Sequence, residues 1–343
     1  MNRVILFLLL GFCALIQVVN AEPYRLNVTV EINKIYGVNT VDQTYKVDGY
    51  LVVKWQEPLS SASSLPPPAV YENSRVDQLV GSGIRIPTLE FINILGKREV
   101  GNKQLIVGNQ RMMTYNERFL GTFQTDMNFR RFPFDSQNFV IIMEPFSLEE
   151  KQLVFTDESS AFIGSPDNQQ NCAHSSHELS EWRITGCPKV QVSTHKYPHL
   201  SDNHQDADFS RLTISIAAKR SPNYYLWQFI LPLSLILVAS WSVFWIDEFG
   251  SRLMTSFTMM LTVVAYTFYT GSLLPHLPYT TFIGRMIIMG YVSIFTAIVI
   301  FVCLRIIGET GPRTRHIIPR CRVLFPIVSL ITIAILVGVN NQL

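Results

Sequence analysis

The sequence predicts two structures in series: an all-β, immunoglobulin-like sandwich outside the membrane over residues 22–221, then an α-helical bundle of four membrane spans over 222–343. Three observations predict it. Apolar and polar residues alternate with period two in several segments before residue 222, as in strands with one buried face. Four uncharged apolar stretches come after it, each close to the roughly 20 residues that cross hydrocarbon as a helix. Hydrophobic residues make up 48% of the 343 and charged residues only 16%, a balance too apolar for a soluble chain of this length.

The chain opens with Arg3 ahead of the apolar run Val4 to Val19, closed by Val19-Asn20-Ala21. This is the pattern of a cleaved signal peptide over 1–21. An uncleaved anchor is the alternative, and both readings export the segment from Glu22 onward. In the exported part Leu26, Val28, Val30 and Ile32 alternate with Asn27, Thr29, Glu31 and Asn33. Tyr45, Val47, Leu51, Val53 and Trp55 alternate with Lys46, Asp48, Val52 and Lys54, and Leu212, Ile214 and Ile216 with Thr213 and Ser215. Short strands between Gly, Pro, Asn and Asp clusters predict an antiparallel sandwich. Pro66-Pro67-Pro68 and Ser165 to Ser176 read as surface loops. Asn27-Val28-Thr29 is a glycosylation sequon, relevant only in a cell that glycosylates.

Of five cysteines, Cys13 leaves with the signal, and Cys303 and Cys321 lie beside membrane segments as apolar residues. Cys172 and Cys187 fall in the exported region, where a disulfide is permitted, although the sequence alone does not establish that they meet.

The spans are predicted at about 224–246, 253–274, 286–304 and 323–339. Tyr224, Tyr225, Trp227, Trp241 and Trp245 sit near the ends of the first, where amphipathic rings favour the interface. With the N-terminus exported, the loop between spans three and four is cytoplasmic. It carries Arg305, Arg313, Arg315, Arg320 and Arg322 against Glu309, as the positive-inside rule requires. The expectation is a multi-pass protein of the plasma membrane with both termini extracellular or periplasmic.

Span two carries hydroxyl groups at Thr255, Ser256, Thr258, Thr262, Thr267, Thr270 and Ser272. Steps of four and three place Met254, Thr258, Leu261, Ala265, Phe268 and Ser272 on one face. Two readings stay open on this span alone: hydroxyls that let helices pack, or a water-facing stripe whose Leu261 and Phe268 form apolar constrictions.

Several function classes are excluded. The net charge of +2, with scattered Lys and Arg, excludes phosphate neutralisation, so no nucleic-acid partner is expected. No GxSxG, HExxH or paired-carboxylate arrangement suggests an enzyme. His195, His199, His204, Asp202, Asp206 and Asp208 read as a solvated loop rather than a metal site, because no rigid spacing fixes the donors. Neither a cofactor nor a metal is expected.

The segments Ile32 to Thr40, Thr44 to Tyr50, Phe132-Pro133-Phe134-Asp135, Leu261 to Tyr266 and Pro275 to Thr281 resemble those of the Cys-loop receptor superfamily of pentameric ligand-gated ion channels. The similarity runs over nearly the whole mature chain and extends to a bacterial member opened by small primary amines. The two cysteines that normally close the loop around Pro133 are Thr125 and Phe139 here, so packing of Phe132 and Phe134 and hydrogen bonds from Asp135 must hold that loop. The resemblance implies a homopentamer in a lipid bilayer that conducts inorganic ions. It implies a gating interface of Pro133, Phe134, Asp135, Arg220, Pro275 and Pro278, with Asp135 paired to Arg220.

The same resemblance implies a cleft between subunits that binds a small amine through Tyr50, Glu90, Asn116, Glu144, Phe146, Tyr197 and Phe209, aromatic faces and a carboxylate being suited to an ammonium group. Glu31 departs from the pattern, since that relative has an aromatic residue there. Cation conduction is the expected selectivity from Asp247 and Glu248, although Ser251 stands before Arg252 where cation-passing relatives often place an acid, and Met254 replaces a polar residue. A membrane-tethered binding module without conduction is the alternative.

Overall fold

The computed structural model describes residues 24–57, 68–145, 153–164, 178–179, 181–197, 207–308 and 316–342. The predicted signal segment, Phe146, Cys172, the Ser165 to Ser176 loop and residues 198–206 of the histidine-rich segment lie outside them.

Among the described residues thirteen strands form two sheets. One contains β1 (Tyr24–Asn39), β2 (Thr44–Gln56), β3 (Ala69–Glu72), β5 (Glu99–Val107), β6 (Met112–Gln124), β8 (Leu153–Phe155) and β9 (Ser160–Ile163). Its order is β3-β5-β6-β2-β1-β8, with β9 also on β1. The other contains β4 (Leu89–Phe91), β7 (Ser136–Pro145), β10 (Glu178–Leu179), β11 (Trp182–Ile184), β12 (Lys189–Tyr197) and β13 (Ala207–Arg220), ordered β10-β11-β13-β7-β4, with β12 also on β13. A short helix, α1 (Ser74–Gly81), follows β3.

The period-two pattern accounts for the core. Leu26, Val28, Val30 and Ile32 of β1, Tyr45, Val47, Leu51, Val53 and Trp55 of β2, and Leu212, Ile214 and Ile216 of β13 are all buried. Complete burial of such a side chain stabilises the fold by about 1.5–3 kcal/mol. The Tyr45 ring crosses the core between Phe123 and Phe139, and its hydroxyl donates to the Val140 carbonyl of the opposite sheet at 2.7 Å.

Gly49 fixes how closely β1 and β2 approach. A Cβ at this position would lie 2.5 Å from the Glu31 carbonyl oxygen, so only glycine lets β1 pass this close. The register slips between Ile32 and Lys34, and Glu31 comes to lie directly opposite Tyr50.

Among the described residues four helices long and apolar enough to cross a membrane come after the sandwich: α2 (Asn223–Trp245), α3 (Phe249–Gly271), α4 (Phe282–Ile307) and α5 (Ile317–Gln342). In α2 the turn at Leu226–Ile230 widens to a π-helix just before Pro232, whose ring leaves no N–H for the helical ladder. The Tyr266 phenol of α3 donates to the Phe229 carbonyl in that turn. α4 starts at Phe282, four residues before the uncharged run, because the Thr281 hydroxyl accepts from the Gly284 N–H and caps it. Arg285 therefore lies in its first turn. α5 likewise begins ahead of its uncharged run, with Arg320 and Arg322 in the helix.

Candidate functional site

Three groups of side chains stand out, and β13 links two of them. The first lies on the outward face of the β12/β13/β7/β4 sheet. Leu212 pairs with Met143, so the next residues, Arg211 and Glu144, stand opposite each other. Glu90 pairs with Glu144 from β4. Glu144 is only 2% exposed. Tyr197 donates from its hydroxyl to Glu144 Oε2 at 2.8 Å, and Arg211 donates from Nε to Oε1 in an ion pair. Burial, and then the bond to Glu144, raises the Tyr197 phenol above its ordinary pKa.

Of the residues predicted for this face, Glu144 and Tyr197 converge and Glu90 lies beside them, exposed. Phe209 is buried on the same face, with its ring edge-on to Tyr197 at 5.7 Å. Phe146 lies outside the described residues. Arg211 had no signal in the sequence beyond being a charge on a strand.

The second group lies on the outward face of the other sheet. A cavity of about 430 Å³ there is lined by Tyr50, Asn116, Glu31, Glu72, Lys103 and Gln104 among others. Asn116 Nδ2 donates to Gln104 Oε1 at 3.3 Å, and Gln104 Nε2 to Glu72 Oε1 at 3.1 Å. Lys103 pairs with Asp77, and Arg118, across from Tyr50, binds Asp48 through both Nε and Nη2. The Arg118 bond holds the Asp48 carboxyl below its ordinary pKa.

The third group joins the sandwich to the helices. Arg220, the last residue of β13, is fully buried and donates from Nε to Asp135 Oδ1 at 2.8 Å and from Nη2 to Oδ2 at 3.3 Å. Its guanidinium stacks 4.1 Å from the Trp182 ring and 4.9 Å from that of Phe132. Nη1 donates to the Tyr225 hydroxyl, which donates to Glu181. The predicted Asp135–Arg220 contact is thus made, inside an aromatic cage that the sequence did not announce.

The loop carrying Pro133 meets the α3–α4 linker next to the predicted prolines. The Phe129 N–H donates to the Tyr279 hydroxyl at 3.0 Å, the Arg130 guanidinium covers the Tyr279 ring, and Phe134 packs edge-on against Phe282 at 5.7 Å. Pro275 is half-buried and Pro278 exposed.

On α3, Met254, Thr258, Leu261, Ala265, Phe268 and Ser272 are all exposed, Leu261 by 67% and Phe268 by 79%. The opposite face, Arg252, Ser256, Val263 and Thr270, is buried against the chain's other helices. Thr258 donates to the Met254 carbonyl and Thr262 to that of Thr258, each at 2.9 Å, which leaves their oxygen lone pairs outward. At the N-terminal end of α3 the Arg252 side chain turns away from this stripe, donating to the Ile246 carbonyl and covering Phe301. Glu248 accepts from the Ser251 hydroxyl at 2.7 Å and stays exposed. Among the described residues no group of three or more His, Cys, Asp or Glu is placed to hold a metal ion. Cys303 and Cys321 are free, and Cys187 is disulfide-bonded.

Residues 14–222 match the model of the neurotransmitter-gated ion-channel ligand binding domain. The chain is 26% identical over 317 residues to the proton-gated ion channel of Gloeobacter violaceus, covering 92% of this chain and 83% of that one. It is 23% identical over 301 residues to the gamma-aminobutyric acid receptor subunit beta-4 of Gallus gallus, covering 85% of this chain and 57% of the subunit.

Proposed function

This chain belongs to the neurotransmitter-gated ion-channel family of pentameric ligand-gated channels, and from that premise we propose that five copies form a cation-conducting pore opened by a small amine bound between adjacent subunits. One observation carries the reading. The hydroxyl-bearing stripe of α3 is the face that the chain's own helices leave uncovered, while the reverse face is buried. Five such stripes around an axis enclose a water path in which Thr258 offers oxygen ligands and Leu261 and Phe268 form rings narrow and apolar enough to stop ions by dewetting.

Cation preference follows from the inner mouth. Glu248 supplies a carboxylate there, and the neighbouring Arg252 charge is turned into the bundle. In the cleft, Tyr197 and its neighbours come from one subunit and Tyr50 and Asn116 from the next. Aromatic faces and an excess of carboxylates favour an ammonium ligand. β13 carries Arg211 at the cleft and Arg220 nine residues on, about 30 Å away at strand rise. Arg220 is in turn bonded to the loop that touches Tyr279 and Phe282. A ligand works this device only through a higher affinity for the open arrangement.

The test is current recording from purified protein in bilayers, with a panel of small amines and with sodium, potassium and chloride exchanged on one side. Amine-evoked currents whose reversal potential follows the cation support the reading. Currents that follow chloride overturn the selectivity, and purified protein that runs as a monomer in lipid overturns the assembly.

A further inference from the structure

We infer that the ligand's ammonium group is held by Glu31 and Asn116 on the complementary face of the cleft, and not by Glu144 on the principal face; the inference rests on the amine reading above. Glu144 is the carboxylate that the cleft's aromatic side presents, but both of its oxygens are occupied. Tyr197 donates to Oε2 and Arg211 to Oε1, and the guanidinium cancels its charge. An incoming ammonium would have to displace a buried ion pair, which costs more than a new one returns. Glu90 lies beside it on β4, outside the cavity that Glu31 and Asn116 line.

The complementary cavity is different. Three carboxylates line it, Glu31, Glu72 and Glu117. Glu117 is paired with Arg98 at 3.0 Å, and Glu72 accepts from Gln104. The cationic groups nearby are spent as well, Lys103 on Asp77 and Arg118 on Asp48. Glu31, half-buried and directly opposite Tyr50, has neither a hydrogen bond nor an ion pair among the described residues. Glu72 also lacks a cation, but it is exposed and already accepts from Gln104, whereas the charge of Glu31 is half-buried with no donor of its own.

Asn116 supplies a second acceptor, and its orientation follows from chemistry. A carboxylate only accepts, so Gln104 must turn its amide nitrogen to Glu72 and its oxygen to Asn116. Asn116 must then give Nδ2 to Gln104. Its Oδ1 is left buried with no donor, an arrangement that costs free energy unless a donor arrives. A carboxylate and a lone amide oxygen in the cavity that the Tyr50 ring also lines suit a primary ammonium, which has charge, three N–H donors and an affinity for an aromatic face.

The experiment is the propylamine concentration–response of wild type, Glu31→Gln, Glu31→Asp, Glu90→Gln and Glu144→Gln, each first shown to run as the wild-type oligomer. Loss of a charge-assisted bond predicts an EC50 raised about tenfold or more in Glu31→Gln, recovered to within about threefold of wild type in Glu31→Asp, which keeps the charge. Glu31→Gln with a wild-type EC50, a Glu31→Asp as insensitive as Glu31→Gln, or a larger shift in Glu90→Gln or Glu144→Gln overturns the assignment and leaves the amine reading standing. A wild-type channel that neither opens with nor binds propylamine overturns both.

Discussion

Arg220 and Asp135 form a two-point ion pair, at 2.8 and 3.3 Å, with neither side chain more than 1% exposed. A pair this deep repays its desolvation only while every polar atom is engaged, and here Gln137, Tyr225 and three aromatic rings engage the rest. Arg220→Gln strands a buried carboxylate and should cost about 3–5 kcal/mol, read as a lower thermal midpoint of the purified channel. Arg220→Lys keeps the charge but loses the fork and the stacking, and should fall between. A glutamine variant as stable as wild type would show that the pair does not hold the junction.

Tyr279→Phe separates coupling from stability. The hydroxyl accepts the Phe129 N–H from the sandwich, and its loss removes one cross-domain bond worth about 1 kcal/mol, roughly a fivefold change in an equilibrium. The expected result is a several-fold higher agonist EC50 with little change in thermal midpoint. Equal sensitivity in both proteins would mean that the linker is driven by Phe134 and Phe282 alone.

How far the sequence could be read depends on the range of the interactions. The strand faces were legible, because period two is local: each residue predicted to point inward on β1 and β13 is buried. The exposed stripe of α3 was legible for the same reason, at a period of 3.6. Where a contact joins distant residues, pattern and spacing were silent, and the Asp135–Arg220 pair was reached only through the family resemblance. Arg211 neutralises Glu144 across 67 positions, and Tyr279 meets Phe129 across 150; neither pattern nor spacing encodes such pairs. Phe209, which the family resemblance assigned to the cleft, is on the same strand face as Tyr197 and Arg211, and its burial comes from the Tyr197 ring packed against it.

Tyr45 makes the sandwich sensitive to alkali. Burial raises its phenol far above the ordinary value, which is about 10. The folded state therefore keeps a proton that the unfolded chain gives up. Stability from this group is complete below about pH 10 and is lost as pH rises from there toward the folded-state pKa. Tyr115, raised by burial and by Glu117, adds to the same trend. Tyr45→Phe should lose about 1 kcal/mol at neutral pH with the bond to Val140, and its stability should fall less steeply between about pH 10 and 11. An unchanged alkaline slope would assign the loss to other groups.

Leu261 tests the water path itself. Its side chain is 67% exposed, on the stripe next to Thr258, whose hydroxyl is already bonded to the helix. In the proposed pore a narrow ring of five such isobutyl groups would hold no water, and the closed state would depend on that dryness. Leu261→Ser places hydroxyls in the ring and lowers the cost of wetting it, so opening should need less agonist and a resting current should appear. The same variant would behave differently were the stripe a packing surface between helices: a small polar residue would then loosen the bundle and lower its thermal midpoint without any resting current. Cysteine at positions 258 and 265 reads the geometry independently, since water-borne thiol reagents should block current at both, and protection of both from reagents on either side would remove α3 from the pore.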